Sequence, residues 1–252
     1  MSRIDVVPSP LVAPEAVASA RLRRPRSGRW WLAVSSIAIA VTAPLPYLTS
    51  SLTELAADGQ EIAANYVHRP GWVRAVFLVH IVVGGVALLV LPLQLSTRLR
   101  DRVPAVHRAV GRLALGAILI AAAAGGVLAP FSRADEVAGF GLLAIGWFVC
   151  AVACGTTIRR GDVDAHRRWA IRTFALTYAA VTLRLWLGVM MGAQALAGVE
   201  SRLAFDRAYH VVPFLAWVPN VLVAEWLIDR SAATGRVENA AAAPTPPYRD
   251  DA

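Results

Sequence analysis

Six long apolar runs constrain this chain more than any other feature. They span about 30–47, 72–95, 107–130, 137–158, 166–191 and 208–228. At about 1.5 Å per residue, each is long enough to cross a hydrocarbon core of about 30 Å. Lipid offers no partner to a free backbone amide, so runs of this length are helices. The composition agrees: 57% of the residues are hydrophobic and only 17% charged, against about 25% charged in a soluble domain. The fold expected is all-α, an integral membrane bundle of six transmembrane helices over residues 30–230.

The basic residues set the topology. All 25 are arginine, and they cluster at the ends of alternate apolar runs. Six precede the first run, five lie between Arg98 and Arg112, five between Arg159 and Arg172, and three follow the last run. The opposite ends hold Arg69, Arg74, Arg133, Arg202 and Arg207. The positive-inside rule then places both termini in the cytoplasm, as an even number of spans requires. Residues 1–29 read as a disordered basic cytoplasmic tail and 231–252 as a second disordered cytoplasmic tail, both rich in proline or alanine. The longest polar connection, residues 50–71, carries a helical pattern over 52–67 that suits a membrane surface. The net charge of +8 comes without a basic groove or stacking motif, so nucleic acid is not an expected partner. The lipid bilayer is.

Polar residues inside the runs are the functional suspects, because a charge at that depth is costly. Counting residues from the run ends puts His80 and Arg184 at nearly equal depth, with His210 shallower and Gln194 above them. A second layer lies toward the arginine-rich end. There His107 and Arg112 open the third run, His166 and Arg172 open the fifth, and Asn220 and Glu225 sit late in the sixth. Arg112 and Arg172 are the candidate partners of Glu225. At 3.6 residues per turn, His166, Thr173, Thr177 and Arg184 share one helix face, as do His80, Gly84, Leu91 and Gln94. His210, Phe214, Trp217, Val221 and Glu225 form a third stripe. Cys150 and Cys154 read as small residues at a helix contact rather than a redox pair.

Three functions fit this pattern. The first is a haem b-binding transmembrane redox or haem-handling protein. Haem needs an imidazole from each of two helices at matching depth. His107 with His166 is the inner pair and His80 with His210 the outer one, with Arg112, Arg172 and Arg184 available to propionates. The second is a proton-coupled small-molecule permease, with Glu225, Arg184 and the histidines as a relay. The third is a non-catalytic membrane assembly or accessory protein whose charges fix helix packing. A redox partner or a second copy of the chain is the expected protein partner. No H-E-x-x-H or G-x-S-x-G sequence supports a hydrolase.

The motifs also resemble a family of bacterial multi-pass membrane proteins catalogued as domain of unknown function 2306. The resemblance rests on His80 with the glycine-rich run to Pro92-x-Gln94, then His107-Arg108-x-x-Gly111-Arg112. It continues with His166-Arg167-x-Trp169-x-x-Arg172, Arg184, and Trp217-Val218-Pro219-Asn220 with Glu225. It covers roughly residues 30–230 and implies a bacterial plasma-membrane bundle. Counterparts of His80, His107, His166, Arg184, Asn220 and Glu225 belong to the family pattern; one for His210 does not. The family carries no established activity.

Overall fold

A bilayer leaves helices or a closed barrel as the only way to satisfy the backbone, and this chain takes the first. The computed structural model describes residues 26–132 and 136–242. The expected tails lie outside it except at their edges. In order, the helices are α1 (Arg26–Thr42), α2 (Leu45–Thr49), α3 (Leu52–Ala57), α4 (Glu61–Val67), α5 (Gly71–Gln94), α6 (Thr97–Arg102) and α7 (Pro104–Leu128). Then come α8 (Glu136–Arg159), α9 (Val163–Thr177), α10 (Ala179–Leu196), α11 (Ser201–Tyr209), α12 (Val212–Leu215) and α13 (Val218–Ala242). Among the described residues no strand occurs. Six segments are long and apolar enough to cross a membrane: Gly28–Thr49, Gly71–Gln94, Pro104–Phe131, Glu136–Arg159, Val163–Leu196 and Val212–Thr234. These are the six runs of the sequence, with ends shifted by a few residues. Helix reaches back to Arg26 and on to Ala242, so it extends past both of the boundaries set by apolarity.

Local chemistry explains where helices begin. Ser51 and Glu54 form a reciprocal capping box on α3, Ser96 caps α6, and the Asp162 carboxylate accepts from the Ala165 amide at 2.8 Å to open α9. Each supplies an acceptor for an otherwise unpaired first-turn amide. Pro104 opens α7, where its missing N–H costs nothing. Gly161, at φ +77°, lets the chain turn sharply between α8 and α9.

The bundle has two unlike ends. One carries α2, α3, α4 and α11 and is called the cap end here. The other carries α6 and the arginine-rich starts of α7 and α9. Helix α5 packs against α1 and α7, α8 against α7 and α9, and α13 against α9. Lipid gives helices no hydrophobic drive to associate, so close approach by small residues matters. Ala87, Ala117, Ala121, Ala122 and Ala151 form the core with Ile118, Trp147, Cys150 and Leu176. At Gly139 a Cβ would lie 2.6 Å from the Pro213 Cβ, so only glycine lets α8 meet α12.

Two spans are locally irregular: the fifth at Tyr178, which keeps helical dihedrals (φ -68°, ψ -12°) between α9 and α10, and the sixth at residues 216–217 between α12 and α13. Asn220 staples the breaks: its amide nitrogen reaches the Thr182 hydroxyl at 2.8 Å, the Ala216 carbonyl at 3.1 Å and the Ala175 carbonyl at 3.2 Å. The Tyr178 and Ser35 hydroxyls, 2.8 Å apart, tie the same break to the first span.

Candidate functional site

A cavity of about 550 Å³ occupies the cap half of the bundle, within the size range of small-molecule sites. Its walls come from α5, α7, α8, the α9–α10 break and α10, and its roof from α4 and α11. A recess of about 230 Å³ adjoins it and shares Tyr47, Glu61, Ile62 and Phe205.

The deep wall is built from His80, Trp147, Thr177 and Arg184. His80 lies with Nδ1 2.9 Å from the Ala121 carbonyl. A carbonyl only accepts, so Nδ1 carries a proton and Nε2 is the nitrogen left toward other partners. Gly125 makes room for the ring; a Cβ there would lie 3.1 Å from His80 Cε1. Trp147 donates its indole N–H to the Thr177 hydroxyl at 2.8 Å, and Thr177 donates onward to the Thr173 carbonyl at 2.8 Å. The alanine-rich core lies beneath Trp147 and Leu176 and closes the cavity toward the arginine-rich end.

Arg184 donates to the Ala180 carbonyl of its own helix at 2.8 Å. It stays accessible although protein surrounds it, because it opens on the cavity. Its electrostatic neighbours are the phenols of Tyr47 and Tyr209.

Aromatic rings line the remainder. Tyr66 stacks on Phe77 at 4.2 Å and Tyr47 meets the same ring edge-on at 5.2 Å; Tyr209 stacks on Phe205 at 4.3 Å. Burial holds the Tyr66 and Tyr209 phenols above their ordinary range, so both remain proton donors at neutral pH. Glu61, Glu136, Arg202 and Asp206 complete the lining, and Glu136 and Asp206 are each partnered.

A second polar layer lies toward the arginine-rich end. Arg172 binds Glu225 through two contacts, at 2.6 and 2.7 Å, and lies over the Trp169 ring at 4.8 Å. Of the two candidate partners of Glu225, Arg172 takes it, and Arg112 is exposed. His166 places Nδ1 2.9 Å from the Cys154 carbonyl and 3.4 Å from its sulfur. His107 lies within the electrostatic reach of His166. Buried His107 Nδ1 and Trp217 Nε1 have no hydrogen-bond partner among the described residues.

The structure therefore brings His80 and Arg184 together and leaves His210 out. His210 is exposed and lines neither cavity. Its neighbour Tyr209 takes that place, because the chain turns between α11 and α12 and the helix phase is lost. Gln194 ties α10 to α11 through the Ala204 carbonyl at 3.0 Å. Tyr47, Tyr66, Glu136 and Tyr209 are absent from the sequence-based set. Their one signal is position: Tyr47, Glu136 and Tyr209 stand at run ends and Tyr66 in the polar connection, where such residues read as interfacial.

A family model described as "Predicted membrane protein (DUF2306)" matches residues 77–228, more than half of the chain. The chain belongs to the DUF2306 family. The match takes in the deep wall of the cavity, whereas Tyr47, Glu61 and Tyr66 precede it. Comparison with curated proteins gave no match, and comparison with solved structures gave none. The family's own description as a membrane protein agrees with the six spans seen in this member.

Proposed function

We propose that this DUF2306 protein is a membrane-embedded carrier that binds a small amphiphilic molecule in the cap-half cavity. One observation carries the reading: an aromatic-walled cavity with Arg184 and His80 at its deep wall, beside two spans whose helices are interrupted at Tyr178 and at residues 216–217. Interruptions of spanning helices beside an intramembrane site are where carriers place the movement that exposes the site to one side and then the other. The Tyr178 break and the α12–α13 junction supply hinges, and Asn220 couples them. Arg172 and Glu225 join α9 to α13 on the far side of the alanine-rich core.

The arginine distribution supports a cytoplasmic arginine-rich end, with both termini inside and the cap end facing outward across a bacterial plasma membrane. Residues 30–230 are then the working membrane domain. Six spans suit a second copy as partner. Proteoliposomes holding a pH-sensitive dye test the carrier directly. A panel of amphiphilic acids and amines should shift the internal pH for at least one compound, and cavity-filling Ala144→Trp should abolish the shift. No flux for any compound in well-folded protein counts against it.

Haem b is the second reading, favoured by one specific observation. His80 and His166 each present Nε2 with Nδ1 fixed on a carbonyl, the second-shell arrangement of many ligating histidines, and His107 has an unpartnered buried nitrogen nearby. His107 and His166 would hold iron, and Arg184 a propionate of a haem beside His80. Arg172 is committed to Glu225. A Soret band lost on His166→Ala would favour this reading over the carrier.

A further inference from the structure

We infer that the cavity selects a monoanionic organic acid with an apolar body, its carboxylate held by Arg184. The inference rests on the carrier reading and names its substrate class. A guanidinium has five N–H donors; here one goes to the Ala180 carbonyl. Among the described residues no carboxylate lies within ion-pair distance of Arg184. The carboxylates of the cavity are Glu61, Glu136 and Asp206, and the last two have partners of their own. An unpaired cation at membrane depth is costly, and such charges are normally paired. A bound carboxylate supplies the missing charge in bidentate geometry.

The surroundings define the rest of the ligand. The protonated phenols of Tyr47 and Tyr209 lie in the electrostatic neighbourhood of Arg184 and can add neutral donors to an oxyanion. Phe77, Phe140, Leu143 and Trp147 provide apolar walls that suit an aryl or alkyl body. Among the described lining residues the other arginine, Arg202, stands on α11 in the roof, so the deep wall offers a dianion such as phosphate no second arginine.

The test is ligand-induced thermal stabilisation of the purified full chain in non-ionic detergent. The probes are 3-phenylpropanoate, its neutral amide and inorganic phosphate. The acid should raise Tm at concentrations about tenfold lower than the amide, one charge-assisted contact being worth about that factor. Arg184→Gln should bring the acid down to the amide's level, and Arg184→Lys should keep part of the difference. Equal stabilisation by acid and amide, unaffected by Arg184→Gln, overturns the anion class and leaves the cavity reading standing. Stabilisation by phosphate alone overturns the apolar body. No stabilisation by any probe overturns this inference and leaves the carrier to be decided by the flux panel. Should Arg184→Gln fail to fold, the acid–amide comparison in the native chain still decides.

Discussion

Arg184 and His80 reach one cavity from two different spans, and among the described residues neither has a carboxylate partner. Arginine in a bilayer ordinarily lies against an acid or snorkels to the interface. Arg172 shows the first pattern in the same molecule, bound to Glu225 at both oxygens. That contrast is the observation on which the proposed ligand role of Arg184 rests.

The Arg172–Glu225 pair should matter for stability more than for ligand affinity. Charge-assisted hydrogen bonds contribute about 1.5–3 kcal/mol, reduced here because the side chains are 24% and 40% exposed. Glu225→Gln and Arg172→Gln should each lower Tm. The double variant should lose less than the two losses combined, since each single change leaves one charge alone. Thermal unfolding of the four proteins measures the coupling.

Gly139→Ala is expected to destabilise by about 1–3 kcal/mol. Its Cβ would lie 2.6 Å from Pro213 Cβ, and proline backbone yields little. Gly188→Ala, with open space around its position, is the control and should leave Tm unchanged.

Thr177→Val removes the acceptor of the Trp147 indole in the cavity floor. The loss should be about 1–3 kcal/mol, the cost of stranding a buried donor. The indole emission of Trp147 should shift as well, which fluorescence against a Trp147→Phe reference would detect.

Acid should loosen the roof of the cavity. Glu200 caps α11 by accepting from the Arg202 and Leu203 amides, and these bonds hold its carboxyl below the ordinary range. The sign follows: the cap is in place above the unfolded pKa and is lost as pH falls through the lower folded value. Amide exchange at Arg202 and Leu203, corrected for intrinsic rates, should accelerate below about pH 4, and Glu200→Gln should abolish that pH dependence.

The spans were legible because the boundary between apolar and arginine-rich sequence is the boundary of the hydrocarbon layer. The starts at Pro104 and Asp162 were legible as capping chemistry. Residue counting put His80 and Arg184 at one depth, and His80, Gly84 and Gln94 of one stripe do face α7 through Ala121 and the His107 carbonyl. The break at Tyr178 was not legible. No glycine or proline marks it, and its bonds come from Asn220 and Ser35, distant in sequence. The sixth stripe holds from Phe214 to Glu225, which pack on α8, on the core or on Arg172, and loses His210, since it assumed one unbroken phase across the turn before α12. The phenols escaped because a tyrosine at a span end looks alike whether it faces headgroups or a cavity.

Cysteine accessibility is the measurement closest to the central claim. Leu183 lines the cavity, whereas Cys150 and Cys154 are buried. In intact cells, Leu183→Cys should react with a membrane-impermeant maleimide far faster than either native cysteine, and Ala144→Trp in the same chain should suppress the reaction. Labelling of Leu183→Cys no faster than that of Cys150 would contradict a solute cavity open at the cap end.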